Sequence, residues 1–169
     1  MSRSFDPPAS SSMPNAGAAT PPSASPSPAA GAMPLVSPPQ PTLRHATQDD
    51  RQAMLAVMAP FQNAFFPGKL DTRSTLVAEI SGAIVGFIGW KGNHILALYV
   101  AEAWRKTRIV GPALLKAAEK AVQAGNHRTV RLMIDADATD AHRFYMKRDY
   151  ETKWDRDNAD VAWMIKKFT

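Results

Sequence analysis

The sequence predicts an α/β (α+β) domain with a mixed, mainly antiparallel sheet and one central parallel β-α-β crossover. Between Thr75 and Val100, three consecutive segments that alternate in polarity or are apolar indicate an antiparallel meander. A helix of about thirteen residues then separates the meander from a further apolar strand, which is the arrangement of a parallel crossover. Two short segments near the C-terminus are typical of a closing antiparallel pair.

The first 41 residues differ in composition from the rest of the chain. They contain 11 of the 14 prolines, many serines and alanines, and only Arg3 and Asp6 as charged residues. Such a segment cannot bury enough apolar surface to offset the conformational entropy lost on ordering. We therefore expect residues 1–41 to be disordered and residues 42–169 to form one domain that carries the whole net charge of +5.

Composition also excludes several classes of protein. The chain has no cysteine, which excludes disulfide frameworks, thiol nucleophiles and cysteine-based zinc sites. Its four histidines match no metal-binding spacing, so no metal is expected. No apolar run approaches the roughly 20 residues of a membrane span, and no signal peptide is evident. A soluble cytoplasmic protein is expected, without membrane contact.

The domain is predicted to begin with a strand and a helix. Thr42–Thr47 reads as a short strand, and Gln48–Asp50 supplies capping and first-turn acids for a helix that runs to about Met58. Pro60 ends this helix. The segment Phe61–Lys69 has apolar bulk without a clear period, so both a loop and a second short helix stay open.

The meander follows. Thr75–Ile80 and Ala83–Lys91 alternate in polarity around Ser81–Gly82, which occupies the position of a two-residue hairpin turn. A second turn leads to His94–Val100. Because this third strand is almost entirely apolar, we expect it to be buried on both faces.

A change to helical periodicity marks the crossover. Gly111–Pro112 is expected to open a helix with leucines and alanines on one face, and Gly125–Asn126 to close it. The remaining elements are expected at Thr129–Asp135, Thr139–Arg148, Glu151–Trp154 and Val161–Phe168.

The loop that joins the third strand of the meander to this helix is basic. Seven basic residues and only one acid, Glu119, lie between Arg105 and Arg131. Because the loop leads into a helix N-terminus, where free N–H groups and the helix dipole favour an anion, the pattern predicts a diphosphate site. The alternative is a solvated helix face beside a basic loop.

Four motifs in this order resemble the GNAT acetyltransferases, and the resemblance spans about Leu43 to the C-terminus. The motifs are Leu98-x-Val100, a loop from Arg105 or Lys106 to Gly111, Ala113-Leu114-Leu115, and Ala141-x-x-Phe144-Tyr145. In this family the loop opens a Leu-Leu helix and an aromatic pair lies in the following helix.

The resemblance implies an N-acetyltransferase that transfers an acetyl group from acetyl-CoA to a primary amine. It also implies where the cofactor lies, with the pantetheine along the strand that ends at Val100 and the diphosphate on the basic loop. The implied cofactor-binding residues are Leu98, Val100, Arg105, Lys106, Thr107, Arg108, Ile109, Val110, Gly111 and Pro112.

The resemblance further suggests catalytic roles. The backbone N–H of Val100 would stabilise the developing oxyanion, and Tyr145 would protonate the leaving thiolate. The alternative for Tyr145 is a packed helix aromatic. Glu102 is the candidate base, with Glu79 as another, and His94 is read as an ordinary strand-edge residue.

The sequence gives less information about the residues that would bind the acceptor amine. Trp90 and Trp104 are candidates for its walls, although tryptophans in small domains more often pack in the core. Phe61–Phe66 is a candidate lip of the site. The acceptor itself cannot be read from the sequence, and the oligomeric state stays open, with a homodimer as one option.

The sequence departs from the family in the loop and around the aromatic pair. If Lys106 takes the first loop position, Ile109 stands where the middle glycine is usual; if Arg105 takes it, one residue is inserted before Gly111. Asp149 replaces the glycine after the aromatic pair, and the asparagine that often opens that helix is absent. The alternative function is therefore a non-catalytic GNAT-like binding module with a degenerate cofactor loop. A nucleic-acid-binding module is third, and no nucleic acid is expected because no row of aromatics interleaves the basic residues.

Overall fold

A seven-stranded mixed sheet forms the centre of this computed structural model, which describes residues 37–61 and 71–169. The strands lie in the order β1-β2-β3-β4-β5-β7-β6, and all neighbours pair antiparallel except β4 and β5, which are parallel. Their bounds are β1 (Thr42–His45), β2 (Thr75–Ile80), β3 (Ala83–Lys91), β4 (His94–Val100), β5 (Thr129–Asp135), β6 (Glu151–Trp154) and β7 (Val161–Lys167). The predicted fold class is confirmed.

Four α-helices lie in the described part of the chain. They are α1 (Arg51–Met58), α2 (Glu102–Arg105), α3 (Val110–Ala124) and α4 (Thr139–Met146). Short 3₁₀ turns precede α1 and β2. Most of the segment for which a loop and a second helix were both open, after Phe61, lies outside the described residues.

Some predicted bounds were wrong. The first strand ends at His45, two residues before the predicted Thr47, and the helix predicted to reach Arg148 ends at Met146. The basic segment predicted as a loop begins with the helical turn α2, in which the acid Glu102 at the first position and the base Arg105 at the last both suit the helix dipole.

The β2–β3 hairpin matches its prediction. Ser81 and Gly82 have φ angles of 52° and 80°, which is the left-handed region that a two-residue type I′ turn requires at both central positions. Glycine adopts this conformation without steric cost, so Gly82 suits the second central position of the turn that ends β2.

Strand β4 is not buried on both faces as predicted. Gly89 of β3 pairs with Ala97 and Trp90 pairs with Ile95, so Leu96 has no partner in β3 and forms a bulge. Leu96 is 39% exposed. The apolar run in the sequence therefore did not predict that the bulge exposes Leu96 to solvent.

The helices cover the sheet on two faces. Helix α1 packs Met54, Val57 and Met58 against Phe87 and Val77 on one face. Helix α3 packs against the other face, where α4 contributes to the same core. The core residues of α3 are Val110, Leu114, Leu115, Ala118 and Val122.

Gly86 permits α3 to approach the sheet closely. A Cβ atom at this position of β3 would lie 2.9 Å from the Tyr99 carbonyl oxygen and 2.9 Å from Val110 Cγ1. Both distances are shorter than a real Cβ contact allows. The missing side chain of Gly86 therefore lets the first turn of α3 rest beside the carboxyl end of β4, where the candidate site lies.

Candidate active site

The two parallel strands at the centre of the sheet separate soon after they meet. In the described residues, β4 and β5 are joined by one residue pair, His94 with Arg131. The Arg131 N–H also donates a hydrogen bond of 2.9 Å to the Asn93 carbonyl. Within the described residues, no further pair joins the strands toward their carboxyl ends. A gap therefore opens between β4 and β5 at the edge of the sheet where α3 begins.

The backbone at the end of β4 presents an amide to this gap. The Ala101 N–H donates a hydrogen bond of 2.8 Å to the Val85 carbonyl of β3. Because successive amides of a strand point to opposite sides, the Val100 N–H points away from β3 and toward the gap. This is the donor to which the resemblance gave the oxyanion role.

The Val100 carbonyl holds Arg105. Arg105 Nε donates a hydrogen bond of 3.0 Å to that oxygen, and the guanidinium carbon lies 4.2 Å from the centre of the Phe61 ring. These contacts hold Arg105 against the end of β4. Leu98 lies half-buried on the same strand and packs against the core cluster on the α3 side of the sheet.

In the loop before α3, one residue has a left-handed backbone conformation. Arg108 has a φ of 60°, whereas Ile109 has a φ of −107°. The position that would benefit from glycine is therefore Arg108, and the β-branched Ile109 meets no positive φ. Lys106, Thr107 and Arg108 are all exposed, and the Thr107 hydroxyl donates to the Trp104 carbonyl over 2.7 Å.

The first turn of α3 has free amide groups. Ile109 occupies the N-cap position and supplies no side-chain hydrogen bond to the turn, and the Ile109 carbonyl accepts from the Ala113 N–H over 3.3 Å. No described residue accepts a hydrogen bond from the N–H of Val110 or Gly111, and Pro112 has no N–H. Because Val110 is fully buried, the partly exposed Gly111 is the residue whose amide is open to another acceptor. This geometry, with the exposed cations before it, suits an anion.

Tyr145 lies at the inner side of α4. Its residue is 6% exposed, and its ring packs edge-on against those of Phe144 and Tyr150, at centroid distances of 5.0 and 5.3 Å. Burial raises the pKa of the Tyr145 hydroxyl well above its ordinary value. No described residue forms a hydrogen bond with this hydroxyl, although buried polar groups are normally hydrogen-bonded.

The two candidate bases differ in their surroundings. Glu102 is exposed at the first position of α2, and within the described residues no hydrogen bond or ion pair joins it to Tyr145. Glu79 accepts a hydrogen bond of 3.1 Å from Arg44 Nε. Arg44 also binds Asp50 through two hydrogen bonds of 2.7 and 2.9 Å, so Glu79 belongs to a structural ion-pair network.

The predicted aromatic walls fall in the core. Trp90 is 8% exposed and belongs to the main cluster, and Trp104 packs against that cluster. Phe61 contacts Tyr99 at a centroid distance of 4.8 Å, and the rest of the predicted lip lies outside the described residues. The pKa of His94 is lowered by burial and by Arg131, and its ring packs on Trp163 as a sheet residue.

One basic residue near the site was missed by sequence reasoning. Arg148 donates a hydrogen bond of 2.6 Å from Nη1 to the Phe144 carbonyl, and its guanidinium carbon lies 3.9 Å from the centre of the Phe144 ring. The sequence did contain a signal for this contact, because Arg148 follows Phe144 by four residues and residues so spaced on a helix are neighbours.

A cavity of about 570 Å³ lies elsewhere, between α1 and the β2–β3 hairpin. It reaches Ala101 at the end of β4, but Arg44 binds two of its carboxylates, Asp50 and Glu79. In residues 37–61 and 71–169, no group of three or more His, Asp or Glu side chains could hold a metal ion. No described helix is long and apolar enough to cross a membrane.

A family model described as an acetyltransferase (GNAT) domain matches residues 46–165. The chain belongs to the GNAT acetyltransferase family. The match covers most of this GNAT domain, from the end of β1 into β7, and includes the gap between β4 and β5. No curated protein matches the chain.

Solved GNAT structures share the fold at low identity. Ard1 from Thermoplasma volcanium is 21% identical, with a TM-score of 0.63 over 76% of this chain and 98% of that chain. The PaiA N-acetyltransferase from Thermoplasma acidophilum, solved in complex with coenzyme A, is 17% identical, with a TM-score of 0.63 over 76% and 99% of the two chains. Ribosomal-protein-alanine N-acetyltransferase from Brucella melitensis is 20% identical, with a TM-score of 0.60 over 75% and 99%.

Proposed function

We propose that this GNAT domain is an N-acetyltransferase that transfers an acetyl group from acetyl-CoA to a primary amine. The observation that carries the proposal is the gap between β4 and β5. The Val100 N–H points into this gap, and the N-terminus of α3 begins beside it. The Tyr145 hydroxyl, which is buried and has no hydrogen-bond partner among the described residues, lies on α4.

The residues around the gap fit the cofactor by their chemistry. The amide of Gly111, with the exposed cations Lys106 and Arg108 before it, would supply donors to a diphosphate. The half-buried side chain of Leu98 would pack against the pantetheine along β4, which leaves the Val100 N–H for the thioester carbonyl. The coenzyme A bound to PaiA, a protein of the same fold, supports this choice of cofactor.

The proposed reaction needs few groups. Acetyl-CoA supplies a thioester carbonyl, at which an amine nitrogen forms a new N–C bond while the C–S bond breaks. The Val100 N–H would stabilise the negative charge that develops on the carbonyl oxygen. Tyr145 is protonated at neutral pH, as any tyrosine is, and burial raises its pKa further; it would donate its proton to the leaving thiolate.

Glu102 is proposed to receive the proton that the amine loses. It follows Val100 by two residues and is solvent-exposed, so it would act through a water molecule. Glu79 is the weaker candidate because Arg44 holds its carboxylate.

A thermal shift assay tests cofactor binding first. A ligand that binds only the folded state stabilises it by about 2.7 kcal/mol at a hundredfold excess over Kd, so acetyl-CoA should raise Tm by several degrees. Adenosine at equal concentration is the control. The proposal would be wrong if millimolar acetyl-CoA left Tm unchanged, or if acetyl-CoA bound but no primary amine in a panel of peptides and small amines was acetylated.

A further inference from the structure

We propose that Arg148 binds a phosphate group of the cofactor, beside Arg108, and so helps to select a nucleotide-bearing thioester. The inference rests on the proposed binding of acetyl-CoA. Arg148 lies just after α4 and is outside the motifs that identify the family in this sequence.

The position of Arg148 follows from two contacts of the Phe144 ring. The guanidinium carbon lies 3.9 Å from the ring centre. Phe144 Cε2 and Cζ lie 3.4 and 3.5 Å from the place that a Cβ atom on Gly111 would occupy. The guanidinium and the first turn of α3 therefore contact the same aromatic ring.

The guanidinium is held in place but keeps donors available. Nη1 donates to the Phe144 carbonyl over 2.6 Å, and the face of the group rests on the Phe144 ring. No described residue accepts a hydrogen bond from Nε or Nη2 of Arg148. A planar guanidinium with free donors matches phosphate oxygens in geometry, and its prior ordering reduces the entropy lost on binding.

The charge around Arg148 is not neutralised by the protein. Burial and the charge of Arg108 lower the pKa of Arg148, while Tyr145 and Glu119 act in the opposite direction. The oxygens of Glu119 are already bound, one by the Tyr150 hydroxyl over 2.8 Å and one by Lys166 Nζ over 3.1 Å. Within the described residues, neither Arg108 nor Arg148 forms an ion pair with a carboxylate.

An anion bound between Arg148 and the start of α3 would offset the positive charge of both arginines. The proposed cofactor carries phosphate at two places, the diphosphate and the 3′-phosphate. Arg148 would bind a phosphate oxygen of either, and the experiment separates them.

The test is Arg148→Met, with coenzyme A binding measured by calorimetry at several salt concentrations. Loss of one charge-assisted contact should weaken binding roughly 10- to 100-fold at low salt. The dependence of Kd on salt should also become less steep, because one fewer screened contact remains. A purely structural role would instead lower Tm and leave the salt dependence unchanged.

Dephospho-CoA, which lacks the 3′-phosphate, identifies the phosphate. If Arg148→Met weakens coenzyme A but not dephospho-CoA, the contact is to the 3′-phosphate. If both weaken equally, it is to the diphosphate. Either result supports the proposal.

Two further variants make the test decisive. Arg143→Met removes the same charge from an exposed position of α4 and should leave binding unchanged. Arg148→Lys keeps the charge and should retain most of the salt dependence, even if the methionine variant folds poorly. Wild-type affinity and salt dependence in both Arg148 variants would overturn this inference alone, whereas failure of the wild type to bind coenzyme A would overturn the proposed function as well.

Discussion

At the scale of single residues, the Tyr145 hydroxyl differs from the other buried tyrosine hydroxyl nearby. The Tyr150 hydroxyl donates to Glu119 over 2.8 Å, whereas that of Tyr145 has no hydrogen-bond partner among the described residues. A buried hydroxyl without a partner costs free energy in the unliganded protein. This cost is consistent with a hydroxyl retained for a reacting group.

Tyr145→Phe should therefore lower turnover without lowering stability. Loss of the acid should reduce kcat by roughly 10² to 10⁴ when chemistry limits the rate, with the Kd for acetyl-CoA almost unchanged. Tm should stay the same or rise slightly, because no protein hydrogen bond is lost. Steady-state kinetics, single-turnover kinetics and thermal unfolding measure these quantities.

Tyr150→Phe is the matched control for that substitution. It removes a hydrogen bond to a carboxylate, so it should reduce the free energy of unfolding by about 1.5 to 3 kcal/mol while kcat changes little. Full single-turnover rate in Tyr145→Phe would show that Tyr145 is a packed aromatic and not the acid.

Asp50 gives a second prediction at this scale. Arg44 and the Thr47 backbone N–H bind its carboxylate, and these bonds lower the pKa of Asp50 from 3.8 to about 2. Asp50→Asn should reduce the free energy of unfolding by about 2 kcal/mol at pH 7, because it removes hydrogen bonds to a charged group. Asp49→Asn, at an exposed neighbouring position, should change it by less than about 0.5 kcal/mol.

The pH dependence of this effect has a defined sign. The folded-state pKa of Asp50 is the lower one, so its contribution is complete above the unfolded value of 3.8 and is lost as the pH falls toward about 2. The wild type and Asp50→Asn should therefore converge in stability in acid. A constant difference between them down to pH 2 would contradict the assigned pKa shift.

At the scale of elements, the loop from α2 to α3 places its left-handed residue at Arg108. The φ of 60° there turns the chain so that Ile109 caps α3 with an ordinary backbone conformation. The loop thus lacks the family's middle glycine without losing a free helix N-terminus. The conformation of Ile109 therefore gives no reason to expect a strained loop.

Reversing the charge of Arg108 should weaken cofactor binding. Arg108→Glu should raise the Kd for coenzyme A strongly at low salt and less at high salt, because salt screens exposed charges. Arg156→Glu makes the same charge change in the exposed segment between β6 and β7 and is the control. Equal Kd values for wild type and Arg108→Glu at low salt would place the diphosphate elsewhere. Calorimetry at two salt concentrations is sufficient.

At the scale of the whole molecule, we predict that residues 1 to about 41 are dispensable for folding. Their proline-rich composition provides no apolar face to pack on the domain. Deleting them should change the free energy of unfolding by less than about 0.5 kcal/mol, as measured by thermal or denaturant unfolding. A drop of several degrees in Tm would show that this segment stabilises the domain.

The order of the strands and most helices could be predicted from the sequence because it depends on local signals. Periodicity located β2, β3, β4, α3 and β5, and Ser81–Gly82 marked the hairpin because the turn needs positive φ at both positions. Asp149, read as a replacement for glycine, does take a φ of 67°. The basic run before α3 also pointed to an anion site, because a helix N-terminus can be located from sequence.

Other features depend on atoms that are distant in sequence, and only the tertiary structure determined them. The bulge at Leu96 is set by pairing with β3, and the gap after His94 by the direction in which β5 leaves β4. The contact of Arg148 with the Phe144 ring, and of that ring with Gly111 at the start of α3, joins residues of separate elements, and no spacing in the sequence encodes it. The sequence by itself thus determined the elements and the kind of chemistry, whereas packing determined which side chains meet, because side-chain proximity follows from the folded geometry of the whole sheet and not from local propensity.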